Sequence, residues 1–271
     1  MPRSLCVRAV VLVCGLALAA CASKKDEYVE KPVEDLYSTA MDQLYDENYQ
    51  AAAKGFDEVD RQHPYSVWAT KAQLMSAFAL YQAGKYDDSI IAADRFIQLH
   101  PGHRDVAYAY YLKALDYYIQ IADVSRDQKT TKQALDALGE VLRRFPDSRY
   151  ARDARLKMDL ARDHLAGREM QIGRWYEGRG EYLAAVNRFK TVVDQYQTTT
   201  HVPEALQRLV ECYLALGLTD EAERTAAVLG YNYPGNKWYG YAYALVTGKE
   251  QRQDTAGSEK SWVGRVVGSL F

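Results

Sequence analysis

Ser-Ile-Ile-Ala-Ala-Asp-Arg-Phe-Ile-Gln-Leu-His-Pro, residues 89–101, carries the spacing that decides the fold. Its residues Ser89, Ala93 and Phe96 stand twelve, eight and five positions before Pro101. This spacing predicts a helix whose small residue allows a second helix to cross closely, with a larger apolar residue one turn later filling the groove. The proline ends the helix because it has no N–H to donate to the next hydrogen bond.

The same offsets recur before Pro64, Pro146 and Pro234, and before Gln197, where the proline alone is missing. The matching positions are Ala52, Phe56 and Val59; Ala134, Leu138 and Val141; Ala185, Phe189 and Val192; and Ala222, Ala226 and Leu229. We interpret these five copies as the second helices of five helix-turn-helix repeats similar to tetratricopeptide repeats. The sequence therefore predicts an all-α, right-handed superhelical solenoid.

The repeats are irregular, because successive prolines lie 37, 45 and 88 residues apart. An insertion near residues 123–131 and a long helix through roughly residues 152–176 account for the longer intervals. First helices precede each copy, most clearly in the last one, where apolar residues lead to the turn at Gly217; these are Leu206, Leu209, Val210 and Tyr213.

The N-terminal residues have the layout of a bacterial lipoprotein signal. Arg3 and Arg8 precede an uncharged core that ends in Leu-Ala-Ala-Cys at 18–21, a run too short to span a membrane. By resemblance to lipoproteins, cleavage leaves Cys21 as the acylated first residue, and Ala22 in place of aspartate favours the outer membrane, facing the periplasm. The alternative is an uncleaved anchor in which the cysteine is incidental.

The chain divides into four predicted segments: a signal peptide at 1–20, a lipid-anchored tether at 21–34, five repeats at 35–235 and a C-terminal extension at 236–271. We expect the extension to be partly disordered and to end in a short amphipathic segment from Trp262 to Phe271, with simple disorder as the alternative. Removing two arginines with the signal leaves 32 basic and 36 acidic residues, a formal charge of −4. This balance argues against a nucleic-acid partner.

The sequence contains no phosphate loop, dinucleotide fingerprint or nucleophile elbow, and no carboxylate pair stands out in an apolar setting. His100 and His103 are two possible ligands without a third, so no metal or other cofactor is expected. His63 and His100 precede helix-ending prolines and are expected to cap terminal carbonyls. Cys212 lies in an apolar helical stripe and is expected to be a small buried side chain. We expect a protein that is not an enzyme.

Four local segments distinguish one family among proteins with tetratricopeptide-like repeats. They are His-Pro-Tyr-Ser at 63–66, Asp-Arg-Phe-Ile-Gln-Leu-His-Pro at 94–101, Arg-Phe-Pro-Asp-Ser-Arg-Tyr at 144–150 and Ala-Ala-Val-Asn-Arg-Phe at 184–189. From Cys21 to about Trp238 the chain resembles the BamD family, the tetratricopeptide-repeat lipoproteins of the β-barrel assembly machinery. Residues 248–271 match nothing in that family's common core.

The resemblance implies a scaffold whose N-terminal repeats receive unfolded outer-membrane protein precursors. Its C-terminal repeats would hold the periplasmic domains of the barrel-forming insertase, alongside accessory lipoproteins of the same complex. The alternative function is a cell-envelope lipoprotein that serves peptidoglycan remodelling or DNA uptake.

Arg188 and Asn187 lie largely off the buried stripe of the fourth repeat, so we predict that they contact the insertase. At the first turn between repeats, Arg61, His63 and Tyr65 offer cationic and aromatic groups for the aromatic-rich ends of barrel strands. In the third repeat, Tyr111 and Tyr118 follow the expected core stripe. Tyr108 and Tyr117 fall off that stripe, and Tyr108 is a weaker addition to the precursor-binding set.

Overall fold

The computed structural model describes residues 30–248, which form eleven α-helices and, within that range, no strand. The helices are α1 (Val33–Tyr45), α2 (Tyr49–Gln62), α3 (Val67–Gln82), α4 (Tyr86–Leu99), α5 (Val106–Ile119), α6 (Lys129–Arg144), α7 (Ala151–Glu177), α8 (Tyr182–Gln195), α9 (Val202–Ala215), α10 (Thr219–Asn232) and α11 (Lys237–Thr247). Each helix packs mainly on the helices before and after it, and α1, α3, α5 and α7 also touch in succession. This packing confirms the all-α helical-repeat solenoid.

The spacing that predicted the repeats also predicts their cores. All fifteen offset positions, from Ala52 in α2 to Leu229 in α10, are buried. The helices that carry them end where the sequence indicated, with His63, His100, Phe145 and Tyr233 as the last capping residues before the prolines. Helix α8 ends at the equivalent position, Gln195, without a proline, and the N–H of its capping residue Tyr196 donates to the Val192 carbonyl as in the other repeats.

The long helix α7 joins two halves of the solenoid. Near its start, Ala154 and Met158 pack into the core of the third repeat. In its second half, Ala166 and Met170 enter the core that the last two repeats share. The Thr200 hydroxyl in the α8–α9 turn donates to Asp163 in mid-helix at 2.8 Å, so the last two repeats pack beside the later part of α7.

The predicted insertion is the loop between α5 and α6. Gln128 organises it, since its amide donates to the carbonyls of Asp123 and Arg126 and accepts from the Thr131 hydroxyl. The turn after α7 needs a left-handed residue, which Gly180 supplies with a φ of 78°. These contacts keep the irregular segments ordered without breaking the stacking of helices.

Part of the predicted C-terminal extension is a packed helix. Helix α11 lies on α9 and α10, Ala242 is fully buried, and the ring of Tyr239 rests close to Gly230. It therefore covers the apolar end of the fifth repeat, as a terminal repeat of a solenoid must. The predicted signal peptide and the amphipathic segment from Trp262 to Phe271 lie outside the described residues.

Candidate interaction surfaces

The residues predicted to contact the insertase share one surface pocket. It has a volume of about 200 Å³ and is lined by Tyr176, Ala184, Asn187, Arg188 and Thr191. Arg188 donates from Nη1 to Glu169 Oε2 at 3.1 Å, and its side chain remains 42% exposed. Helix α8 turns Ala185 and Phe189 into the core and leaves Asn187 on the surface. A cationic group thus lies in a small concave site that a partner's side chain can enter.

The residues predicted to bind precursors lie together in the α2–α3 turn. Tyr65 is fully exposed, and Arg61 is exposed but bonded to Glu58, whose pKa this bond lowers to about 2. The ring of His63 contacts the Lys31 carbonyl at 2.7 Å. His63 therefore holds the segment that leads into α1 through this contact. The prediction that His63 caps a terminal carbonyl of its own helix is wrong.

Tyr108 does not lie on an open surface. Its ring packs on Tyr150 at 5.5 Å and against the cores of the second repeat, and burial raises the pKa of its phenol. The fully buried stripe of α5 runs through Val106, Ala109, Leu112, Ala114 and Asp116. The prediction that Tyr111 and Tyr118 pack in the core is confirmed, since both lie against the core of the third repeat. The prediction that Tyr108 lies off the core is wrong, because the buried stripe is rotated relative to the one inferred and places Tyr108 inward.

Asp116 is a carboxyl group in the core between the second and third repeats. Its side chain is fully buried, and Oδ2 lies 2.7 Å from the Ser89 hydroxyl of α4. Oδ1 has no hydrogen-bond partner among the described residues. Burial raises the pKa of Asp116 to about 7. The sequence pattern does not predict this group, because Asp116 lies off the apolar stripe inferred for α5.

A second buried polar group joins α7 to α9. Arg208 donates to Glu177 and to Glu204, each at 2.8 Å, and Arg174 also donates to Glu204 at 2.9 Å. Glu177 is 2% exposed, and burial raises its pKa while the neighbouring Arg208 cation opposes that rise. The expectation that no carboxylate pair stands in an apolar setting is wrong, because Glu177 and Glu211 are both buried and interact. Buried ion pairs of this kind fix the register between two helices.

Cys212 and His100, two residues with reactive or ligating side chains, are packed within the repeats. Cys212 is buried as predicted, and burial raises the pKa of its thiol, so it is a poor nucleophile. The ring of His100 contacts Gln73 Oε1 at 2.8 Å and does not cap a helix-terminal carbonyl as expected. Among residues 30–248, no three metal-ligating side chains cluster, and no helix is long and apolar enough to cross a membrane.

Comparison with known proteins matches residues 29–229 to the family described as YfiO, outer membrane lipoprotein. The outer membrane protein assembly factor BamD of Caulobacter vibrioides is 49% identical over 267 residues, which cover 96% of this chain and 87% of that protein. BamD of Rickettsia prowazekii is 48% identical over 237 residues, covering 87% and 94%. Among solved structures, the TPR2AB domain of yeast Sti1 in its pHSP90 complex has a TM-score of 0.42 and 11% identity, covering 80% of this chain and 82% of that one. The sequence identity to the two BamD proteins is thus more than four times the identity to this solved structure.

Proposed function

Since this chain belongs to the outer membrane lipoprotein family that includes the BamD assembly factors, we propose that it is a lipid-anchored periplasmic scaffold for β-barrel assembly. Its family makes it an outer membrane protein assembly factor. The observation that carries this function is 49% identity to a BamD protein over 96% of the chain. A solenoid suits a scaffold because stacked repeats offer long, continuous surfaces to several partners at once.

The insertase contact lies at the Arg188 pocket between α7 and α8. What supports it is a half-exposed guanidinium whose carboxylate partner, Glu169, is on the same surface. A carboxylate of the partner can add to the Arg188–Glu169 pair or replace Glu169 in a two-pronged bond. The exposed amide of Asn187 lies beside it and offers both a donor and an acceptor.

Precursor binding is assigned to the α2–α3 turn with Arg61, His63 and Tyr65. Tyr65 projects its whole ring into solvent, and Val67 beside it is also exposed. Aromatic residues at the ends of barrel strands can stack on this ring, and Arg61 can meet a terminal carboxylate while it retains Glu58. Tyr108 is excluded from this surface because its ring is packed in the core.

The membrane attachment is a lipid on Cys21, with the repeats in the periplasm. The sequence layout supports this assignment, as does the family description as an outer membrane lipoprotein. The predicted tether, residues 21–34, then connects the lipid to the repeats.

Affinity purification from detergent-solubilised membranes tests the proposed function. A tagged copy at native expression level is expected to recover the barrel-forming insertase, accessory lipoproteins and unfolded barrel precursors. An unrelated tagged outer-membrane lipoprotein serves as the control for non-specific recovery. Recovery of murein enzymes or DNA-uptake proteins without the insertase would contradict the assembly role and favour the alternative function.

A further inference from the structure

Five arginines surround two neighbouring turns of the solenoid, and we name this surface the arginine corner: Arg104, Arg143, Arg144, Arg149 and Arg152. Arg104 is in the α4–α5 turn, and the others surround the α6–α7 turn. The two turns are neighbours, because the ring of Tyr150 packs on Tyr108 at 5.5 Å and Asp105 lies within electrostatic reach of Arg149. All five guanidinium-bearing residues are exposed.

The arginine corner has more positive charge than its carboxylates balance. Glu140 pairs with both Arg143 and Arg144, and Asp105 pairs with Arg104. Arg149 bonds the Tyr150 hydroxyl at 2.6 Å and lies over its ring, and within residues 30–248 neither Arg149 nor Arg152 forms an ion pair. The acidic residues that remain beside the turn are Asp147 and Asp153, and Asp153 pairs with Lys157. A cationic surface therefore stands out on a chain whose mature form has a formal charge of −4.

The chain enters the solenoid along the same edge. Successive helices run antiparallel, so the start of α1 and the α2–α3, α4–α5 and α6–α7 turns share what we call the entry edge. Lys31 is fixed there, because its N–H donates to Gln62 Oε1 at 3.0 Å and its carbonyl contacts His63. Lys31 is ten positions after Cys21, so the length of a fully extended chain limits the distance from a lipid on Cys21 to the entry edge to about 35 Å.

The opposite edge of the same three repeats is acidic. Its turns and the helix starts beside them carry six acidic residues, Asp46, Glu47, Asp87, Asp88, Asp123 and Asp127, against four basic ones, Lys85, Arg126, Lys129 and Lys132. An anionic surface therefore attracts the entry edge at the arginine corner and repels the opposite edge. This attraction acts within a Debye length, about 8 Å at physiological ionic strength, so the corner must come close to the charges it recognises.

We propose that the arginine corner docks on the anionic phospholipid headgroups of the membrane that holds the lipid anchor. The inference rests on the proposed acylation of Cys21, which brings the entry edge within reach of that membrane. Guanidinium groups suit phosphate because their parallel N–H groups bond two phosphate oxygens at once. Docking at this corner gives the solenoid one orientation, with the entry edge toward the lipid and the acidic edge toward the periplasm.

Vesicle flotation tests the docking without the anchor. The mature chain, residues 21–271 with Cys21→Ser, is mixed with phosphatidylglycerol–phosphatidylcholine vesicles or with pure phosphatidylcholine vesicles. We expect about tenfold more protein on the anionic vesicles at about 50 mM salt, and loss of that excess at about 300 mM. Arg149→Glu/Arg152→Glu is expected to remove the excess. The matched control, Lys85→Glu/Arg126→Glu, makes the same charge change on the acidic edge and is expected to retain it.

Equal binding to both vesicle types, no binding to anionic vesicles, or equal loss in the control would overturn the proposal. Insertase co-purification is measured on the same variants and is expected to stay unchanged. If Arg149→Glu/Arg152→Glu lowered co-purification and left flotation intact, the corner would be a protein interface instead. Failure of the acylation at Cys21 is detected separately by mass spectrometry of the native protein, so it is not confused with failure of the headgroup contact.

Discussion

Arg188 is the single residue at which the proposed insertase contact is most directly tested. Arg188→Glu replaces the cation of the α8 pocket with a carboxylate beside Glu169, so the pocket repels an acidic partner group. We expect insertase co-purification to fall about tenfold or more, with helical content and thermal midpoint near wild type. Quantitative pull-down and circular dichroism make the comparison.

Lys190→Glu is the matched control for Arg188→Glu. Lys190 is an exposed residue of the same helix outside the pocket, so reversing its charge is expected to leave co-purification unchanged. If Arg188→Glu and wild type recovered equal amounts of the insertase, Arg188 would be an ordinary solvent-exposed arginine and not part of the contact.

Asp116 makes the stability of the second and third repeats depend on pH. The Ser89 hydroxyl lies 2.7 Å from Asp116 and 2.9 Å from the Ala77 carbonyl, and it has one proton to give. A protonated Asp116 satisfies all three groups, since its carboxyl O–H donates to the Ser89 hydroxyl and that hydroxyl then donates to the Ala77 carbonyl. Burial raises the folded-state pKa to about 7, above the unfolded value, so the folded state binds the proton more tightly.

The stability from Asp116 is therefore full below about pH 4 and lost as pH rises toward and through about 7. Urea denaturation across this range is expected to show a loss of about 1 to 4 kcal/mol in the free energy of unfolding, which Asp116→Asn removes because its amide does not ionise. Asp88→Asn, at an exposed site, is the control and is expected to retain the slope. An unchanged slope in Asp116→Asn would contradict the assignment.

At the scale of an element, the α2–α3 turn is tested by its exposed tyrosine. A photo-crosslinking amino acid at position 65 is expected to capture a peptide that carries the last strand of an outer-membrane barrel. The same amino acid at position 231 is the control, because Tyr231 is comparably exposed but lies in the fifth repeat. Gel shift and mass spectrometry identify the adduct, and capture at position 231 but not 65 would reverse the assignment.

The close approach of α7 and α8 depends on Gly173. A Cβ at this position would lie 2.4 Å from Cε1 of Phe189, a ring that is itself fully buried. Gly173→Ala is expected to lower the free energy of unfolding by about 1 to 3 kcal/mol, because the ring cannot move without strain. Gly139→Ala in α6 is the control: nothing lies near its Cβ, so the helix gains up to about 1 kcal/mol. Thermal melts of the two variants are expected to shift in opposite directions.

The second helices are the elements that the sequence predicts best. Phe56, Phe96 and Phe189 mark them because a buried ring needs a small residue one turn earlier, and a proline or its equivalent ends each helix. The length of α7 also follows from the missing turn signal between residues 152 and 176. Patterns that depend on local periodicity are visible in one sequence.

The first helices and the buried charges are less visible. The hydrophobic periodicity of α5 does not identify its buried face, because tyrosine is amphipathic and Asp116 takes a core position. Polar and apolar residues therefore do not separate the two faces of this helix. Glu177 and Arg208 are 31 residues apart and meet only because α7 and α9 stack. Among the candidate contacts, the outward position of Arg188 and Asn187 follows from the stripe of α8, and that of Tyr65 follows from its place in a turn. The packing of Tyr108 depends instead on Tyr150, a residue of another repeat.

At the scale of the whole molecule, α7 divides the proposed work between two halves. The first half of the solenoid holds the chain entry at Lys31, the α2–α3 turn and the arginine corner. The second half, closed by α11, holds the Arg188 pocket and its own continuous core. Because one helix belongs to both cores, the two surfaces are held at a fixed spacing while each faces a different partner.

The proposed lipid on Cys21 would determine where this scaffold works, and Cys21→Ser tests it. Each methylene buried in a membrane contributes about 0.8 kcal/mol, and multiple acyl chains make attachment persistent where one chain does not. We expect Cys21→Ser to release the protein into the soluble periplasm or to leave the signal uncleaved, as read by membrane fractionation and intact mass. Cys14→Ser changes a cysteine within the predicted signal and is expected to leave both readouts as in wild type. An unchanged mass and unchanged outer-membrane fractionation of Cys21→Ser would show that attachment does not depend on this residue.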